Sequence, residues 1–149
     1  MQKIKGFFQL IRYPNLVFIA LTQSLFYYQI IVPHLKNNGQ PNQLLQETDF
    51  MLLLVSSVLI AAAGYIINDY FDIQIDNVNK PERLILGKLI KRRWAMLLHL
   101  VLSLAGLFLT AVVSMHLNNL LLLALNFLSV LMSASKEALS FKKAVKSSA

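Results

Sequence analysis

Four oxygen-bearing side chains, Asn68, Asp69, Asp72 and Asp76, follow directly on a long apolar run. On a continuing α-helix, a rotation of about 100° per residue places Asn68, Asp72, Asp76 and Asp69 at roughly 0°, 40°, 80° and 100°, so all four share one quadrant. Tyr70, Phe71, Ile73 and Ile75 between them point elsewhere and are left to pack. Three converging carboxylates repel one another unless a cation neutralises them. Hard oxygen ligands suit Mg²⁺, which favours one or two carboxylates together with substrate phosphates over an all-protein cage. The arrangement predicts a phosphate ester or diphosphate held through Mg²⁺. A solvated acidic loop is the simpler reading for scattered aspartates, but carboxylates beside a membrane and on a single helical face point to function.

The elements that must carry these residues are membrane helices. Of 149 residues 56% are hydrophobic and 14% charged, against about 45–50% apolar residues in soluble domains. Apolar runs at 15–32, 50–67, 94–113 and 119–132 are candidates to span a bilayer, the fourth being short and interrupted by Asn126. They are too long and too continuously apolar for barrel strands, so the expectation is an all-α integral membrane helical bundle with about four transmembrane helices. The first run lacks a small-residue cleavage site and reads as a retained span. Pro14 suits the start of that helix and Pro33 is expected to close it. Residues 37–42 read as a turn-rich outer loop.

The net charge of +7 reads as topology. The Lys and Arg counts before, between and after the runs are 3, 1, 6, 0 and 4, an alternation that fits the positive-inside rule at every connection. Both termini and the acidic segment are therefore expected on the cytoplasmic side. The basic residues do not form a patch interleaved with aromatics, so no nucleic-acid partner is expected. Cysteine is absent, which excludes disulfides, thiolate metal sites and cysteine nucleophiles.

The run Asn68-Asp-Tyr-Phe-Asp-Ile-Gln-Ile-Asp76 resembles, at every specified position, the first aspartate-rich motif NDxxDxxxD of the UbiA family of membrane-embedded prenyltransferases. Asn79-Lys-Pro-Glu-Arg83 is similar to the segment that follows it, and Arg12-Tyr-Pro-Asn15 to the family's opening. The resemblance covers residues 7–132 and implies the first part of the family's nine-helix bundle. It also implies an activity: transfer of a polyprenyl group from an allylic isoprenoid diphosphate to an aromatic or lipid acceptor, with Mg²⁺ as cofactor. Asn68 and Asp72 would coordinate the metal, with Asp69 and Asp76 as further ligands or supporting partners. Asp72, Asp76 and Asp69 would be the catalytic set, and Asn15 would join the diphosphate site. A membrane cavity would hold the polyprenyl tail and keep water from the carbocation.

Among the cations after the motif, Arg83 and Lys80 are the candidates to grip diphosphate, Arg83 bidentately. Lys88, Lys91, Arg92 and Arg93 read as topological anchors or contacts to anionic lipid. Asn15 and Gln23 lie two helical turns apart and are expected to face the bundle interior, with an interhelical hydrogen bond as the plain alternative for Asn15. His99 reads as a bundle-facing polar contact. His34 and His116 fall in outer connections and receive no role. Phe26, Tyr27 and Tyr28 offer ring faces to a carbocation, or simply pack near the end of a span.

The family carries a second aspartate-rich motif, whereas no Asp follows Asp76 here. Residues 1–132 are read as the N-terminal part of the transmembrane domain and 133–149 as a polar Lys/Ser/Ala-rich tail. The expectation is a truncated or frameshifted chain that alone holds Mg²⁺-diphosphate weakly and turns it over slowly or not at all. The alternatives are a small non-catalytic membrane protein that binds isoprenoid diphosphate, or half of a split enzyme completed by a partner subunit. A cation channel or transporter fragment is disfavoured, because the carboxylates lie at the end of a span and not at midplane.

Overall fold

A computed structural model describes residues 2–79 and 90–147, with side chains over 6–73, 90–133 and at 135. Two helices form the centre: α4 (Glu47–Asn79) and α5 (Arg92–His116). Against them pack α2 (Tyr13–Phe26), on α4, and α6 (Leu120–Ser147), which touches both. A short α1 (Gln2–Leu10) precedes α2 and rests on α2 and α4. Among the described residues three stretches are long and apolar enough to cross a membrane: Tyr13–Asn37, Glu47–Ile73 and Arg92–His116. The apolar part of α6, Leu120–Ser133, is shorter, as its sequence implied.

The α4–α5 contact is held by small residues and hydroxyls, because helices in lipid gain little from burying apolar surface against each other and rely on close packing and hydrogen bonds. Ser56 Oγ donates to the Gly106 carbonyl at 2.8 Å and shares a 2.6 Å hydrogen bond with the Thr110 hydroxyl. A Cβ on Gly106 would stand 2.7 Å from Ile60 Cγ1 and 3.1 Å from the Ser56 carbonyl oxygen, so only glycine permits this approach. Ala63 on α4 and Ser103, Thr110 and Ser114 on α5 are buried. His99 Nδ1 lies 3.0 Å from the Ala63 carbonyl, the bundle-facing contact expected of it.

Pro33 does not close the first span. The chain passes from α2 through a π-helical turn, Tyr27–Ile31, into α3 (Val32–Asn37), with the Val32 N–H bonded to the Tyr27 carbonyl. A proline lacks its own donor and crowds the carbonyl one turn back; widening that turn lets the helix continue. The helix ends instead at Asn38 and Gly39, where φ is +70°, and a 3₁₀ turn at Pro41–Gln43 leads to α4.

The acidic segment is likewise helix and not loop, since α4 runs unbroken through Asn68 and Asp76 to Asn79. The polar tail extends α6 without a break at 132, up to Ser147. Its Lys, Ala, Glu and Leu are good helix formers, so the change in composition leaves the backbone helical.

Candidate functional site

The Asn68–Asp72 end of α4 is anchored from behind by a small apolar core. Leu10 and Ile66 are fully buried, packed with Ile73 and Ala95, and Ile11, Tyr70, Ile90, Leu98 and Leu102 close around them. Tyr70 and Ile73 thus turn to the core, as the helical wheel required. Burying them orients Asn68, Asp69 and Asp72 to other faces of α4.

Asn68 and Asp72 are one turn apart, and the Asn68 amide donates to Asp72 Oδ2 at 2.9 Å. The bond aligns one carboxylate oxygen and leaves Asp72 Oδ1 and the Asn68 amide oxygen as acceptors. Asp69, further round the helix, meets a cation from elsewhere: Arg12 Nη2 lies 2.8 Å from Asp69 Oδ1. The same guanidinium sits 5.3 Å from the centre of the Tyr65 ring, within reach of its π face.

Arg12 reaches this place through its backbone. It occupies the left-handed region, φ 51° and ψ 53°, between α1 and α2. Leu10, buried against α4, and Leu16, the buried residue of α2, hold the two sides of this turn. The sequence reading counted Arg12 as a topological charge and as part of a motif, and did not pair it with Asp69. The only signal was the unneutralised acidic cluster itself, which asked for a cation without saying which.

The remaining candidates are distributed as follows. Asp76 lies on α4, and its side chain is outside the described residues, as are Lys80, Arg83 and Lys88 altogether. Among the described residues Asn15 is exposed, next to Leu16, the buried residue of α2, and no interhelical hydrogen bond of its side chain is formed there; Gln23 is half-buried. Tyr27 stacks on Phe50 at 4.2 Å between centroids, Tyr28 meets the same ring edge-on at 5.4 Å, and the Tyr27 hydroxyl donates to the Leu45 carbonyl. Phe50 and Asn68 are eighteen residues apart on one helix, about 27 Å, so these aromatics pack the opposite end and are remote from the acidic cluster. That end also holds an ion-pair geometry the sequence reading missed: His116 Nδ1 lies 3.0 Å from Asp49 Oδ1, with the Asp49 side chain only 4% exposed.

Among the described residues no three Asp, Glu, His or Cys side chains converge on one point. The donor set present is one carboxylate and one amide oxygen on a single helical face. That is a poor cage for Ca²⁺ or Zn²⁺ but fits Mg²⁺, which takes one or two protein oxygens and completes its shell with water and phosphate.

The sequence of this helical frame matches the UbiA prenyltransferase family over residues 16–136. The chain belongs to that family. UbiA relatives include proteins named digeranylgeranylglyceryl phosphate synthase. That of Sulfurisphaera tokodaii is 33% identical over 113 residues, covering 76% of this chain and 37% of the relative. That of Sulfolobus acidocaldarius is 40% identical over 80 residues, covering 54% of this chain and 25% of the relative. In Ignicoccus hospitalis the identity reaches 68% over a 28-residue stretch, 19% of this chain and 9% of the relative. The UbiA chain described here therefore spans little more than a third of the length of these relatives at most. No solved structure matches it.

Proposed function

We propose that this UbiA chain supplies the first metal-diphosphate wall of a membrane prenyltransferase that transfers an isoprenoid group to a lipid acceptor. The observation that carries the reading is the Asn68–Asp72 hydrogen bond on an unbroken helix, at the end of an apolar span. The names of the relatives favour a geranylgeranyl diphosphate donor and a glyceryl phosphate acceptor. The acidic end and both termini face the cytoplasm in this proposal, as the charge alternation requires.

In this site Asp72 and the Asn68 amide oxygen would hold Mg²⁺, with Asp69 and Asp76 as supporting carboxylates. When bound, the metal supplies positive charge to the diphosphate oxygens as the allylic C–O bond ionises. Asn68 fixes the orientation of Asp72, so the ligand is in place before the substrate arrives. Arg12 offsets the charge of Asp69, which lowers the repulsion the cluster would otherwise carry. Lys80 and Arg83 add donors for the leaving diphosphate. The apolar faces of the spans receive the isoprenoid tail and exclude water.

The test is Mg²⁺-dependent binding of geranylgeranyl diphosphate to the purified chain in lipid nanodiscs. Binding should weaken roughly tenfold or more in Asp72→Asn, the loss of one charged contact. Binding that ignores both Mg²⁺ and Asp72→Asn would overturn the proposal. Adding a glyceryl phosphate lipid acceptor separates two roles: product formation shows that this chain suffices for transfer, and binding without product shows a donor-binding wall that needs the rest of the bundle.

A further inference from the structure

A groove opens beside the acidic end, on the α4–α5 side. It measures about 410 Å³ and is lined by Tyr70, Arg92, Arg93, Met96, Leu97 and Leu100. Its composition is divided by depth: two guanidinium groups stand at the start of α5, and three exposed apolar side chains follow over the next two turns. From Arg92 to Leu100 the helix rises about 12 Å, so the apolar part runs from the membrane interface into the hydrocarbon. Trp94, 63% exposed in the same turn as the arginines, sits where an interfacial aromatic belongs.

Among the described residues the charges in this groove have no acidic counterpart. Neither Arg92 nor Arg93 forms an ion pair among the described residues, and the first turn of α5 contains no acidic residue. Two cations in the first turn oppose the helix dipole; a local conflict of this kind calls for an external anion. A guanidinium pair matches phosphate oxygens in number and direction, better than it matches a single carboxylate.

We infer that this groove binds a membrane lipid with a phosphate monoester head group, the phosphate on Arg92 and Arg93 and the first part of the hydrocarbon chain along Met96, Leu97 and Leu100. The dianionic head distinguishes this occupant from phosphodiester lipids, which carry one charge and shield it on both sides. The inference does not depend on prenyl transfer, since its ligand needs neither the Asn68–Asp72 pair nor Mg²⁺.

Trp94 is the single tryptophan of the chain and lies next to Arg93, so its fluorescence reports on the site. The full chain in phosphatidylcholine nanodiscs is titrated with dioleoyl phosphatidic acid, with dioleoyl phosphatidylglycerol and with soluble glycerol 3-phosphate. Phosphatidic acid should give a saturable shift at a concentration roughly tenfold lower than phosphatidylglycerol, and glycerol 3-phosphate should give none. The Arg92→Gln, Arg93→Gln double variant should lose the shift, while Lys36→Gln, at the other end of the bundle, keeps it. Arg92→Lys, Arg93→Lys retains the charge and should lose the preference for the monoester; it decides the matter if the glutamine variant fails to fold by circular dichroism. Equal responses to the two lipids, or an unchanged response in both double variants, would overturn the inference. A shift of equal size and midpoint with glycerol 3-phosphate would overturn the lipid source and leave a soluble phosphate site.

Discussion

Arg12 and Asp69, fifty-seven residues apart in sequence, meet at 2.8 Å across the junction between α1, α2 and the end of α4. The contact joins the turn before the first span to the acidic segment after the second. It places one permanent positive charge inside a cluster that is otherwise acidic.

A double-mutant cycle with Arg12→Gln and Asp69→Asn measures this pair. The Arg12 side chain is 46% exposed and that of Asp69 24%, so water screens the contact. The coupling in thermal unfolding should be about 0.2–1 kcal/mol. Zero coupling in low salt would mean that the two side chains do not meet in solution.

Asn68→Ala and Asp72→Asn should not add. Asn68 aligns Asp72 as well as offering its own amide oxygen, so the loss of Mg²⁺-dependent diphosphate binding in the double variant should be smaller than the sum of the single losses. Fully additive losses would mean that Asn68 does not act through Asp72.

Metal removal gives a second measure of the same site. Chelation with EDTA should abolish diphosphate binding and Mg²⁺ should restore it, with Ca²⁺ less effective because two protein oxygens suit the smaller ion. Retained binding after chelation would assign the diphosphate to cations of the chain instead.

Two glycines should respond in opposite ways. Gly106→Val forces Cβ against Ile60 and the Ser56 backbone, and overpacking of this kind costs about 1–3 kcal/mol. Gly64→Ala meets nothing within 4 Å and should gain about 0.5–1 kcal/mol from helix propensity. Unfolding of both variants in the same micelles checks the contrast; equal effects would mean that α4 and α5 do not approach through Gly106.

At the other end, His116→Ala removes the partner of the buried Asp49 carboxylate. Leaving a buried acceptor without that bond should cost about 1–3 kcal/mol, and His116→Gln, which keeps a donor, should cost less. Identical melting of the two variants and the parent would show that α4's first-turn amides satisfy Asp49 by themselves.

Much of the architecture could be read from residue order alone. Long apolar runs in a chain with few charges admit only helices in a bilayer, and three of the four expected runs became helices long enough to span one. The spacing of Asn68, Asp69 and Asp72 also decided their faces, because on a continuous helix the angles follow from residue number. The quadrant itself was too coarse a description: Asn68 and Asp72 pair with each other, while Asp69 turns to Arg12.

Other features depend on contacts between distant segments, which no local pattern encodes. Pro33 reads as a helix stop, yet the π turn at Tyr27–Ile31 carries the helix past it. Asn15 and Gln23 share a helical spacing, but that spacing does not say which face α4 covers; the buried Leu16 settles it. The partners Arg12 for Asp69 and His116 for Asp49 arise only when the termini of different helices are brought together. Sequence alone determined that this UbiA chain is a helical membrane protein with carboxylate and amide side chains gathered at one end of a span. Tertiary packing decided which cation sits beside that face and where the arginine-lined groove lies, because both depend on how far and at what angle α1, α4 and α5 approach one another.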